Sequence, residues 1–414
     1  MKKRTISLTL QSATAVFAMT LLATRASAAT EKVLHNFGAS ATDGVNPLAG
    51  LVIDEDGNLF GTTCYGGTHG GGGTVFELTP KEDGFWTEKV LHSFGHGDSG
   101  SYPSAGMIFD RSGNLYGTTE NGGAHGVGTV FELKPVAGGK WTETVLHSFK
   151  EGADGGYPND PGSGLIFDKS GNLFGTTENG GPYDEGTVFE IDTAGQETVL
   201  HTFFQNTDGG YPFAAPIFDA AGNIYSTTSI GGDRGNGTGT VYELTPGEGG
   251  GWTETELHSF IYNGTDGTQP QSGVAFDAAG NLYGTTDRGG AYGVGMVYEL
   301  TPKQGGGWEE KILHSFGHEY PGETYGVFGG VLFDTKGNLY GTTISGGING
   351  GGRVFELKPM GDGSWEYTVL HDFGKGTDGF DIEGALIIDA AGNLYGTTIL
   401  GGTHGMGTVF EIIP

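Results

Sequence analysis

One tetrapeptide, L-H-x-F, returns seven times along this chain: Leu34 to Phe37, Leu91 to Phe94, Leu146 to Phe149, Leu200 to Phe203, Leu257 to Phe260, Leu313 to Phe316 and Leu370 to Phe373. Successive copies start 57, 55, 54, 57, 56 and 57 residues apart. Such a period restricts the chain to an array or ring of one supersecondary unit, because a lone repeat cannot bury its own apolar face. It leaves no room for a second domain.

Each unit holds four strand-like runs, as in Gly106 to Asp110, Asn114 to Thr119, Gly128 to Leu133 and Trp141 to Phe149. With 83 glycines and 15 prolines in 414 residues, an aperiodic chain would read as disordered. Here the glycines separate β-branched and aromatic runs, the pattern of short strands joined by tight turns. Runs one and two are joined by D-x-x-G-N, as in Asp110 to Asn114, where the glycine supplies the positive φ of a hairpin turn. Four short strands in a repeat of this length make a propeller blade. The seventh unit stops at Pro414 without a fourth strand, and a spare fourth strand, Glu31 to Phe37, stands at the other end. An unpaired strand edge invites aggregation, so the spare strand is expected to complete the last blade. An open solenoid would need modified capping repeats, and none is visible. The expected fold is therefore all-β: a seven-bladed β-propeller of four-stranded antiparallel blades over residues 29–414, closed by the N-terminal strand.

Residues 1–28 read as an export signal. Basic Lys2, Lys3 and Arg4 precede a mostly apolar run from Ile6 to Ala23, and Ala26-Ser27-Ala28 is a small-residue cleavage site. Polar Ser7, Thr9, Gln11, Ser12 and Thr14 interrupt that run, which argues against a membrane anchor. The expectation is a secreted or periplasmic protein with no membrane insertion. The leader carries four basic residues and no acid, so its removal leaves 16 Lys+Arg against 49 Asp+Glu and takes the net charge from −29 to about −33. Such a surface repels nucleic acid and anionic membranes. Cys64 is the only cysteine, so no intramolecular disulfide can form. A monomer is expected.

The core Gly122-Gly123-Ala124-His125-Gly126-Val127-Gly128-Thr129-Val130-Phe131-Glu132-Leu133, together with the recurring G-N-L-Y-G-T-T, closely resembles the GloVer tandem-repeat proteins over the whole mature chain. The resemblance implies an exported bacterial repeat protein rather than any particular activity. Members often carry a C-terminal surface-anchoring tail. This chain ends at its last strand, which implies release or periplasmic residence.

Seven histidines occupy one repeat position: His35, His92, His147, His201, His258, His314 and His371. A metal site needs three or four ligands within bonding distance, and copies spread around a ring do not supply them, so these histidines read as blade-building residues. Glu77, Glu132, Glu190, Glu243, Glu299, Glu356 and Glu411 recur likewise and are expected as buried partners of those histidines or of nearby threonine hydroxyls. Asp54, Asp110, Asp168, Asp219, Asp277, Asp334 and Asp389 open the D-x-x-G-N turns, where an aspartate bonds the backbone two residues on. No cofactor is expected. A calcium ion is the one alternative kept, at Asp54-Glu55-Asp56-Gly57-Asn58, although no bidentate glutamate follows. Gly97-Asp98-Ser99-Gly100 imitates a protease signature but lies where other copies read A-D-G-G or T-D-G-G. The glycine cluster Gly70 to Gly73 lacks the Lys-Ser/Thr of a phosphate loop. No H-E-x-x-H, C-x-x-C or G-x-S-x-G is present.

In a four-strand meander the 2-3 loops and the blade-to-blade 4-1 loops share one face, and loops on a rigid scaffold carry binding residues. The 4-1 loops there supply Tyr102, Tyr157, Tyr211 and Tyr320. The 2-3 loops supply residues that differ between copies: Tyr65, His69, His125, Tyr183, Asp184, Arg234, Arg288, Tyr292 and His404. Trp86, Trp141, Trp252, Trp308 and Trp365 start fourth strands at the opposite face and are expected to pack blade on blade. Two functions fit. The favoured one is a non-catalytic module that binds an extracellular glycan or protein through the loop face. The alternative is a polysaccharide lyase or glycoside hydrolase acting at that same face.

Overall fold

A computed structural model describes residues 29–95, 98–150, 152–158, 164–204, 207–232, 237–317 and 326–414. The leader, Arg234 and Tyr320 lie outside these residues. Seven four-stranded antiparallel sheets form a seven-bladed β-propeller, and the one helical turn among the described residues is Gly152–Asp154. Blade 1 consists of Val52–Ile53, Leu59–Thr63, Thr74–Pro80 and Trp86–Ser93, paired in that order. Blade 7 pairs Ile387–Ile388, Leu394–Thr398 and Thr408–Ile413 with the N-terminal strand Thr30–Asn36, from Thr30 opposite Ile413 to Asn36 opposite Thr408 with one register shift between Val33 and His35. The expected closure is thus the observed one.

L-H-x-F is explained by a β-bulge that recurs in each fourth strand. In blade 1, His92 pairs with Val75 and Val90 with Phe76, so Leu91 is the extra residue. A bulge re-aims side chains, and here it lets leucine, histidine and phenylalanine all turn toward the next blade. Phe94 is fully buried against Phe131 of blade 2 at 5.0 Å between ring centres, while His92 meets Phe94 edge-on at 4.6 Å. Seven apolar clusters result, one at each junction, from Phe37 with Phe76 at the closure to Phe373 with Phe410.

The glycine of G-T-T follows from the same packing. A Cβ on Gly61 would stand 2.5 Å from the ring of Phe76, so only hydrogen fits beneath that ring. The tryptophans pack blade on blade as expected: Trp86 on Tyr395, Trp141 on Phe60, Trp252 on Phe174 and Trp365 on Tyr283, with centroids 6.0 to 6.4 Å apart.

At the far end the turn aspartates behave as expected. In blade 2, Asp110 Oδ1 accepts from the amides of Ser112 and Asn114 at 2.8 and 2.9 Å, and Oδ2 accepts from Asn114 Nδ2 at 2.7 Å. The recurring glutamates differ from expectation. In five blades their partner is the tyrosine of the second strand, as where Tyr116 donates to Glu132 at 2.6 Å, Tyr225 to Glu243 at 2.7 Å and Tyr283 to Glu299 at 2.9 Å. In blades 1 and 3 phenylalanine stands there, Glu77 lies 3.6 Å from Lys89 and Glu190 accepts from Asn172 at 2.8 Å. The reason is register. Tyr116 lies directly opposite Glu132 across the second and third strands, whereas the histidines face the next blade.

Candidate functional site

The loop face is hydrogen-bonded into one surface. Four 4-1 loops pair with the 2-3 loop of the blade they enter: Gly44–Val45 with Tyr65–Gly66, Gly100–Ser101 with Asn121–Gly122, Gly267–Thr268 with Arg288–Gly289, and Gly379–Phe380 with Leu400–Gly401. Single bridges join Gly156 to Asn179 and Gly210 to Ile230 in the same way. One or two residues later the chain stitches back to the preceding blade. The amides of Tyr102, Tyr157 and Tyr211 donate to Gly72, Val127 and Glu185 carbonyls, each at 2.8 Å. These tyrosines take φ values of +58°, +52° and +53°, a left-handed conformation costing on the order of 1 kcal/mol that the stitch holds in place. Their rings are half-buried, and Tyr157 packs into the core between blades 2 and 3. The Y-P segments are therefore scaffold as well as surface.

One group of expected site residues comes together, across blades 1 and 2. The exposed ring of Tyr65 crosses Tyr102 at 5.2 Å and 67°. Beside them lie buried Cys64 and half-buried Glu120. Burial, with the charge of Glu120 adding, pushes the Cys64 thiol up to about 12, which leaves it protonated and unreactive at neutral pH. The Tyr65 phenol is held above its ordinary range, first by Cys64, with Tyr102 and Glu120 contributing. On the next blade Glu178 is raised by burial and then by Glu120.

The other expected residues lie apart. Exposed Tyr183 packs on Phe204 at 4.5 Å, while Asp184 accepts from the Gly180 amide at 3.0 Å. Arg288 pairs with Asp287 at 3.2 Å. The His69 ring bonds the Ser93 carbonyl through Nδ1 at 3.0 Å. His125, Tyr292 and His404 are exposed on separate 2-3 loops. Sequence reasoning passed over the position just after G-T-T, occupied by Cys64, Glu120, Glu178, Ser229, Asp287, Ile344 and Ile399. It differs between copies as the chosen loop residues do, but it reads as a strand end. It also missed Asp381 and Glu383 in the loop entering the last blade. Burial raises both, and Glu383, with Asp381 adding, reaches about 7.

The seven repeat histidines stay at separate junctions, as expected, but each described junction brings other residue types to the imidazole. The 4-1 loop supplies an aspartate: Asp43, Asp154, Asp208, Asp266 and Asp378 lie 3.8, 3.3, 2.9, 3.9 and 3.2 Å from His35, His147, His201, His258 and His371. The next blade's fourth strand supplies a glutamate, as Glu143 at 3.4 Å from His92 and Glu310 at 3.8 Å from His258. The protease-like Ser99 donates to Glu143 at 3.1 Å and so belongs to this junction chemistry.

A sequence profile described as the Gloeobacter/Verrucomicrobia repeat matches residues 8–238 and 214–414. The chain belongs to this repeat family. Among solved structures it is similar to a putative 6-phosphogluconolactonase from Bacteroides uniformis, with 14% identity over 80% of this chain and 86% of that one and a TM-score of 0.49. No curated protein sequence matches it.

Proposed function

We propose that this repeat-family propeller is an exported, non-catalytic binding module that takes a neutral glycan on its loop face. The observation that carries the reading is the Tyr65–Tyr102 pair, 5.2 Å apart, beside the half-buried carboxylate of Glu120. Sugar C–H faces stack on such rings, and sugar hydroxyls donate to a carboxylate in charge-assisted hydrogen bonds. A chain with a net charge of −29 before loss of its basic leader disfavours anionic ligands, which weighs against a lyase acting on uronic acids. The leader at residues 1–28 supports export to a compartment where glycans are met.

The hydrolase alternative rests on Glu383, whose pKa near 7 suits a general acid, with Asp381 nearby as a second carboxyl group. A neutral and acidic polysaccharide panel, scored for retention and for new reducing ends, separates the two readings. Retention of neutral glycans that is lost in Tyr65→Ala, without product, is the expected result. Reducing ends that vanish in Glu383→Gln would establish the hydrolase instead, and no retention of any neutral glycan would refute the module.

A further inference from the structure

Two of the histidine junctions are built as ligand sets. At the junction of blades 2 and 3, donor atoms of His147, Asp154 and Glu197 all lie within 4.8 Å of one another, with Nε2 of His147 3.3 Å from Asp154 Oδ2. At blades 4 and 5, His258, Asp266 and Glu310 repeat the arrangement, with Nε2 of His258 3.9 Å from Asp266 Oδ1 and 3.8 Å from Glu310 Oε1. In both, the histidine Nε2 and the glutamate Oε1 are buried atoms with no hydrogen-bond partner. An unpaired buried polar atom typically costs about 1 to 3 kcal/mol, so one such atom demands a reason and four in the same two places point to a shared one.

With both carboxyl groups ionised, hydrogen bonding alone supplies no such reason. Two carboxylates facing each other repel, and one imidazole cannot donate to both from one nitrogen. A dication accepted by all three side chains removes the repulsion and satisfies every atom. We propose that these two junctions are metal sites, each holding one divalent transition-metal ion, zinc foremost, between an imidazole and two carboxylates. One nitrogen and two oxygen ligands suit zinc, and a water completes the tetrahedron. Zinc bonds of about 2.0 to 2.2 Å draw the donor atoms inward by less than 1 Å from their present spacing. The ligands come from the fourth strand of one blade, the connecting loop and the fourth strand of the next, so the ion staples neighbouring blades. The His258 junction opens onto a cleft lined by Asn263, Thr265 and Ile312, which gives the ion a way in.

The chain contains its own controls. At blades 1 and 2, Ser99 stands in the aspartate position and bonds Glu143. At blades 5 and 6, Tyr367 replaces the glutamate and stacks flat on His314 at 4.0 Å. The first sets a single carboxylate beside the imidazole and the second lays a phenol ring on it, so neither repeats the three-ligand set among the described residues.

The test is metal stoichiometry. Purified protein stripped with chelator is titrated with ZnCl2 by calorimetry, and bound zinc is counted by mass spectrometry after desalting. Saturation should include one equivalent at each of the two junctions. Glu197→Gln and Glu310→Gln, which keep side-chain volume, should each remove one equivalent and shrink the zinc-induced rise in melting temperature. His314→Ala should keep the full count. Zinc counts unchanged in both glutamine variants, in protein whose chelator-treated melt matches the parent, would overturn the assignment, as would no retained zinc in the parent.

Discussion

Phe37 directly follows the spare N-terminal strand, 350 or more residues from the other strands of blade 7, yet it is as fully buried as Phe149 at an internal junction. In a closed ring the two positions are equivalent: Phe37 packs on Phe76 at 5.0 Å, and Phe149 on Phe189 at 5.2 Å. A buried Phe→Ala change removes transfer free energy and leaves a cavity, at a cost of about 3 to 5 kcal/mol. Against a total stability of about 5 to 15 kcal/mol, either variant loses a large share. Urea titration with matched slopes should therefore place Phe37→Ala and Phe149→Ala within about 1 kcal/mol of each other. Removing residues 30–37 also takes away buried Leu34 and exposes the edge of Thr408–Ile413, so that variant should aggregate or elute as oligomers. If Phe37→Ala is nearly neutral while Phe149→Ala costs several kcal/mol, the strand does not close the ring in solution.

Three further outcomes follow. Gly61→Ala should destabilise by about 1 to 3 kcal/mol through overpacking beneath Phe76, seen as a lower urea midpoint with an unchanged slope. Tyr116→Phe removes the donor to Glu132 and should cost about 1 to 2 kcal/mol in the same titration. Junction glutamates give a pH signature: burial raises Glu31, Glu197 and Glu310 to about 7 and Glu254 to about 8, above their unfolded value, so their contribution is present at low pH and lost as pH rises through the folded pKa. Depressed His92 and His314 act in the opposite direction, but only below about 6.5, where unfolded histidine begins to charge. Melting temperature of chelator-treated protein should therefore fall between about pH 6.5 and 8, and a flat or rising profile would contradict the assigned burial.

What was legible in the sequence was whatever the repeat states seven times. L-H-x-F, D-x-x-G-N and G-N-L-Y-G-T-T fixed blade count, turn chemistry and closure, because period and turn residues are local signals. Partner identity was not legible. Glu132 was assigned to a histidine or threonine, and only the strand register shows that Tyr116 stands opposite it. The junction triads were missed for a related reason. His147, Asp154 and Glu197 come from three segments spread over 50 residues, and only blade-on-blade packing brings them together. On the loop face, Tyr65 is exposed and meets Tyr102, whereas Tyr157 and Tyr211 are half-buried because a left-handed stitch ties their backbone to the preceding blade.

The central claim is that positions held constant in the repeat build the ring, whereas binding resides where copies differ on the loop face. Calorimetric titration with the best-retained glycan, alongside thermal melts, tests it on two double variants. Tyr65→Ala with Glu120→Gln should weaken binding about tenfold or more, since an anchoring aromatic commonly carries 1 kcal/mol or more, and should leave the melt nearly unchanged. Trp141→Ala with Trp252→Ala should lower the melt sharply while the folded fraction binds as the parent does. Binding lost in the tryptophan pair and kept in the Tyr65–Glu120 pair would place the site on the opposite face and contradict the account.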